Sequence, residues 1–159
     1  MDALSQELLG RVEAGRDQAL GLLQALLRAP SPNPPGDTRG VADLIIGTLR
    51  AAGAEPVVFS PHPGMPNIVA RFDGARPGRH LVLNGHMDVF PVAEHEWSRG
   101  PWGGEIVDGR IYGRGACDMK GGLASLLTAF LHLHAVRDRL AGRVTFTAVS
   151  DEETFGPWG

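Results

Sequence analysis

The run Leu81-Val82-Leu83-Asn84-Gly85-His86-Met87-Asp88-Val89 joins three apolar residues to a histidine and an acid two positions apart. Side chains alternate along an extended chain, so His86 and Asp88 point to one side and Met87 to the other. The stretch reads as a buried strand, Arg79 to Gly85, that ends in polar side chains. Strand ends at a sheet edge are where α/β proteins gather reactive groups, because the backbone is rigid and the side chains reach into a crevice. Two readings of His86 and Asp88 stand together here. One is a metal-binding imidazole whose second nitrogen is steered by a carboxylate; the other is a hydrogen-bonded structural pair.

Downstream, Glu105-Ile106-Val107 and Arg110-Ile111-Tyr112 flank Asp108-Gly109, a two-residue type I′ hairpin signal in which both central residues need positive φ. Met119 to about Val136 is apolar nearly all round and predicts a buried crossover helix. Arg143 to Ser150 alternates Val144, Phe146 and Ala148 against Thr145, Thr147 and Val149, the period of a strand. Strand, long crossover and strand imply a right-handed βαβ unit, and with it an α/β fold: a partly complete mixed sheet with helices on both faces.

Upstream, Pro56 to Phe59 and Asn67 to Phe72 read as strands, the second closed by Asp73-Gly74. Asp37 is placed to cap a helix whose apolar face is Val41, Leu44, Ile45, Thr48, Leu49 and Ala52, with Gly53 just past its end. Leu4 to Leu27 has helical spacing, loosened at Gly15. Between the two helices, Ala29-Pro30-Ser31-Pro32-Asn33-Pro34-Pro35-Gly36 forces an extended path, since its four prolines remove four donors.

Two further acidic clusters fall at the same sheet edge as His86 and Asp88. Asp118 precedes the buried helix and could simply cap it. The glycines around it, Gly113, Gly115, Gly121 and Gly122, suit a close approach of backbone to a ligand or ion. Asp151-Glu152-Glu153 follows a strand, and Ser150-x-x-Glu153 has the form of a capping box. Gly156-Pro157 comes too soon for a helix, so the alternative is that one glutamate binds metal while its neighbour carries a proton. Divalent ions at enzyme sites draw on carboxylate and imidazole donors from separate elements.

Composition removes other classes. A formal charge of −3 with basic residues spread along the chain excludes a nucleic-acid surface. Gly113-x-Gly115 with Lys120 lacks the order of a phosphate loop, and the third glycine of a dinucleotide fingerprint is missing. The amino terminus carries acids where a signal peptide needs basic residues, and no apolar run approaches the ~18 residues of a membrane span, so the expectation is a cytoplasmic protein without membrane contact. Cys117 is the single cysteine, which rules out an intrachain disulfide and reads as a small buried residue. His132 and His134, two apart on a helix, cannot chelate together, and His62, His80 and His95 read as solvated.

Leu83-Asn84-Gly85-His86-Met87-Asp88-Val89, Tyr112-Gly113-Arg114-Gly115-Ala116-Cys117-Asp118-Met119-Lys120-Gly121-Gly122 and Ser150-Asp151-Glu152-Glu153 together closely resemble three amino-terminal signatures of one metallohydrolase family. This is the co-catalytic zinc family of acetylornithine deacetylase, succinyl-diaminopimelate desuccinylase, aminoacylase and glutamate carboxypeptidase. The resemblance covers most of the chain from Pro30 onward. It implies a zinc-exopeptidase-like catalytic domain and a zinc-dependent amidohydrolase or metallopeptidase that cleaves an N-acyl amino acid or small peptide. It implies two Zn2+, with Co2+ as a substitute: His86 on one ion, Glu153 on the other, Asp118 bridging. Asp88 would orient His86, Glu152 would be the general base, and a cis peptide would join Asp118 to Met119.

Family members continue with another carboxylate ligand, a lid or dimerisation domain and a late histidine, none of which this chain contains. Residues 1–159 are therefore expected to be the amino-terminal part of the catalytic domain, a fragment truncated at its carboxyl end and inactive alone, with a homodimer only where the lid domain is present. The alternative is a non-catalytic remnant that binds metal weakly or serves as an interaction module. Trp97 and Trp102, in the loop from Glu94 to Gly104, are candidates to line a pocket.

Overall fold

Alternation in two strands sets the core. Val144, Phe146 and Ala148 of β6 (Ala141–Val149) lie opposite Phe72, Ala70 and Ile68 of β2 (Met65–Asp73), and all six are buried. The computed structural model describes residues 1–159. On its other side β6 runs parallel to β3 (Arg76–His86), with α4 (Lys120–Ala135) crossing between them, the expected βαβ unit. β1 (Val57–His62) adds to β2 antiparallel and completes a mixed sheet in the order β1-β2-β6-β3.

Leu123, Leu127 and Phe130 of α4, Val41, Ile45 and Leu49 of α3 (Arg39–Ala51) and Leu26 of α2 (Arg16–Leu27) join the six strand residues in one core. The Phe130 ring sits 5.4 Å from Phe72 and 5.8 Å from Phe146 at tilted angles, the preferred aromatic arrangement. Each fully buried Leu, Ile or Phe contributes about 1.5–3 kcal/mol of transfer free energy. The mixed α/β sheet is the class the alternation implies. Within these residues its helices gather on one face, and the other face leaves Val57, Phe59 and Val82 exposed.

Several local readings shift. The strand of the opening stretch is an edge: Leu81 and Val82 are 48% and 53% exposed, and only Gly85 and His86 at its end are buried. An apolar run does not by itself distinguish a central strand from an edge. The first helical stretch is two helices, α1 (Ala3–Ala14) and α2, broken at Gly15. Asp37 accepts the Arg39 amide, but the helix starts one residue later than expected, with Thr38 at its cap position. Asp108 and Gly109 take φ of 50° and 73°, as the type I′ turn between β4 (Glu105–Val107) and β5 (Arg110–Tyr112) requires. The Asp118–Met119 peptide is cis, as are Asn33–Pro34 and Pro34–Pro35.

Cys117 is exposed, not buried. The interior position goes to Lys120, the only lysine in the sequence, whose side chain is fully buried. Gly115, at φ 88°, lets the loop close on Val89 and on the Lys120 stem, where a Cβ would meet Val89 at 2.8 Å. Lys120 Nζ donates to the carbonyls of Leu26 (3.0 Å) and Ala29 (2.6 Å), the end of α2 where orphan carbonyls and the helix dipole favour a cation.

Burial pulls the Lys120 ammonium down to about 7, from 10.5 in the unfolded chain. Between those values the unfolded state binds more protons, so Lys120 makes stability rise with pH over that window. Lys120→Met is expected to erase that rise. It also leaves two carbonyls short of a donor, an effect offset in part by relief of the buried charge, for a net loss of about 1–3 kcal/mol at pH 7. Denaturant unfolding of both proteins at pH 7 and pH 10 checks it.

Candidate metal centre

β3 and β6 end side by side, His86 level with Val149, so the segments that follow them leave the sheet at one edge. The loop before α4 delivers Asp118 to the same place. His86 Nε2 lies 3.2 Å from Asp118 Oδ1 and 3.5 Å from Glu152 Oε2. One donor atom each from His86, Asp118 and Glu153 falls within 4.8 Å of the others. His86 is buried, while the Asp118 and Glu152 side chains are 76% and 52% exposed, so the cluster opens to solvent on its carboxylate side.

The alternative structural roles for these acids are not realised. Met119 takes the cap position of α4, without any side-chain hydrogen bond there, so Asp118 does not cap the helix. Ser150 begins no helix: its hydroxyl bonds Pro66 O and Thr38, and its amide donates to Asn67 Oδ1. The glycines near Asp118 serve packing of the chain on itself. A Cβ on Gly121 would collide with the Ala116 carbonyl oxygen, and one on Gly113 would press on Leu27 at 3.2 Å.

Asp88 is fully buried and does more than face the imidazole. Its carboxylate accepts from the amides of Glu152 (3.2 Å) and Glu153 (3.0 Å) and from Asn33 Nδ2 (2.9 Å). His86 Nδ1 lies 3.0 Å from the Asp88 backbone carbonyl and 3.6 Å from its Oδ1. Asp151, at φ 67°, accepts from Asn33 Nδ2 (3.0 Å), Thr154 Oγ1 (2.8 Å) and the Trp158 amide (3.3 Å). Asn33, Asn67 and Thr154 were not singled out by the sequence patterns. Their partners lie 118, 83 and 3 residues away, and of these only the Thr154 contact is local enough to have been sought as a side-chain turn.

The electrostatics follow from that wiring. Burial alone would lower His86, but its hydrogen bonds to Asp88 and the nearby carboxylates raise it to about 9. Burial would raise Asp88, yet donation from His86, Asn33 and the two glutamate amides holds it at about 2. Burial and the Asp118 charge push Glu153 up. The ion pairs at this edge all run through His86, against the carboxylates of Asp88, Asp118 and Glu152. A converging imidazole and two carboxylates, with acids in excess, is a donor set suited to a divalent cation, and the residues fit that group.

Trp97 and Trp102 stack on cationic side chains, Arg114 at 5.4 Å and Lys120 at 6.0 Å, and neither adds a polar group to the cluster. His62, His80 and His95 are exposed, and His134 packs on Phe72 and Phe130. No helix is long and apolar enough to cross a membrane.

The family model described as Peptidase family M20/M25/M40 matches residues 82–159. The chain is 42% identical over 145 residues to a succinyl-diaminopimelate desuccinylase of Methylobacterium radiotolerans, covering 86% of this chain and 35% of that protein. It is 38% identical over 152 residues to an N-formyl-4-amino-5-aminomethyl-2-methylpyrimidine deformylase of Halalkalibacterium halodurans, covering 93% and 36%. The crystal structure of an M20 family metallo-carboxypeptidase from Sulfolobus solfataricus superposes with a TM-score of 0.73 at 29% identity, over 86% of this chain and 31% of that one. The chain thus spans about a third of the length of the curated relatives it matches.

Proposed function

We propose, for a chain that belongs to the M20/M25/M40 peptidase family, that it carries part of the catalytic site of a metal-dependent amidohydrolase. The observation that carries this reading is the convergence of His86, Asp118 and Glu153 within 4.8 Å beside a third acid, Glu152, that is outside the set. The substrate class is an acyl group on the nitrogen of an amino acid or a small peptide, in keeping with relatives named for removing succinyl and formyl groups.

In this reading His86 and Asp118 would hold one divalent ion and Asp118 and Glu153 a second, with zinc or cobalt as the metal. What the ions supply when bound is Lewis acidity toward a carbonyl and toward water. The protein's own groups do the rest. Asp88 fixes the imidazole from behind and pins the Glu152 and Glu153 amides. Glu152, half exposed on the open side, takes the proton from the attacking water and passes it to the leaving nitrogen. Catalytic zinc usually draws three protein ligands and each ion would have two here, so we place the remaining donors in the part of the protein these 159 residues do not span. The chain alone should then bind metal weakly and turn over no amide.

Titrating Co2+ into the 159-residue chain tests both statements. Saturable binding, displaced by Zn2+, is expected, and its absence overturns the metal assignment. Hydrolysis of N-succinyl or N-acetyl amino acids by the chain alone would overturn the incomplete ligand set. His86 must shed its proton to bind, so affinity should tighten by up to tenfold per pH unit until about pH 9. Proton release measured by calorimetry in two buffers reads this directly.

A further inference from the structure

Asn33 lies in the proline-rich segment before α3, only 4% exposed, and reaches the sheet edge from outside the three sequence signatures. Its backbone is clamped to the segment after β3: Asn33 N–H donates to Val89 O (2.9 Å), Val89 N–H to Ser31 O (3.0 Å), and Ser31 Oγ to Met87 O (2.7 Å). The side-chain amide has two N–H groups and two close carboxylate acceptors, Asp88 Oδ2 at 2.9 Å and Asp151 Oδ1 at 3.0 Å, with Thr154 Oγ1 at 3.4 Å. Asp88 and Asp151 are 0% and 5% exposed, where two like charges repel far more than in water. The Asn33 amide is the donor they share.

Those two acids carry the turn that presents the glutamates. Asp88 holds the Glu152 and Glu153 amides, and Asp151, with a positive φ uncommon outside glycine, starts the turn. We propose that Asn33 is a positioning residue of the metal site: by donating to Asp88 and Asp151 at once, it sets where Glu152 and Glu153 stand relative to His86. The inference rests on the metal-site reading above. Aspartate at this position would put a third carboxylate between two others, and alanine would leave both short of a donor.

Asn33→Ala and Asn33→Asp in the 159-residue chain, beside Ile45→Val as a control for ordinary loss of core packing, test it. Should Asn33→Ala not fold, Asn33→Ser, read below its Tm, takes its place. In the metal-free proteins, amide hydrogen exchange at Glu152 and Glu153 is expected to speed at least tenfold relative to Phe146 and Ala148 in the Asn33 variants, and not in the control. Co2+ affinity is expected to weaken by about 10- to 100-fold, with an altered visible spectrum. An unchanged exchange ratio overturns the proposal. So does a changed ratio with Co2+ affinity and spectrum intact, which would make Asn33 structural only. A wild-type chain that binds no Co2+ overturns the metal-site reading itself, and the exchange ratio then still decides whether Asn33 holds the turn.

Discussion

Replacing Glu152 with glutamine is expected to lower kcat by about 10²- to 10⁴-fold in the catalytically competent protein, with metal content unchanged. Glutamine keeps the length and shape of the side chain but has no basic oxygen to take a proton. The anchor of residue 152 is its backbone N–H on Asp88, which the substitution leaves intact. Its carboxylate is outside the trio of donors that converge within 4.8 Å, so metal should stay. KM should move little, because an interaction made only during proton transfer leaves ground-state binding alone. Metal analysis beside steady-state kinetics separates the two adjacent glutamates. Loss of metal in Glu152→Gln would exchange the roles of residues 152 and 153, and an unchanged kcat would remove Glu152 from the chemistry.

The parts of the fold that were legible in the sequence are those decided locally. The apolar girth of α4, the Asp-Gly turn and the alternation of Val144, Phe146 and Ala148 each state their environment within a few residues. Three strand or loop ends bearing His86, Asp118 and Glu152-Glu153 could be placed at one edge because a βαβ crossover has one hand and strand ends have one side. What depends on distant partners was not legible. Leu81 and Val82 are apolar on an edge strand, and nothing in their sequence says which neighbours lie beside them. Lys120 has two carbonyl acceptors 94 and 91 residues away, and nothing near it in the sequence says that it is the buried residue while Cys117 faces out. Asn33 was read only as part of a chain-straightening proline run, and its use is a polar contact 55 residues away with Asp88.

The same logic makes Asp88→Ala the most disruptive single change expected for the metal-free chain, at about 3–5 kcal/mol near pH 6. One side chain accepts from two backbone amides and the Asn33 amide and faces the His86 imidazole; alanine leaves the Glu152 and Glu153 amides without their acceptor, leaves Asn33 with Asp151 alone of its two carboxylates, and leaves the buried imidazole with only the residue-88 backbone carbonyl on that side. The pH profile gives the cause its signature. Asp88 is held at about 2, below the ordinary 3.8, so its contribution is present above pH 4 and lost as pH falls toward 2. His86 is raised from 6.5 to about 9, so its contribution is full below pH 6.5 and lost as pH rises through 9. Wild-type stability from this pair is therefore greatest between about pH 4 and 6.5 and falls on both sides. In Asp88→Ala the acid limb loses this component, and the His86 pKa falls because burial then acts without its chief opponent. Urea unfolding at pH 3, 6 and 9, with the imidazole followed by NMR, measures both. A destabilisation below 1 kcal/mol at pH 6, or an imidazole that still titrates near 9, would show that Asp88 is neither the anchor of the glutamate turn nor the partner that keeps His86 charged.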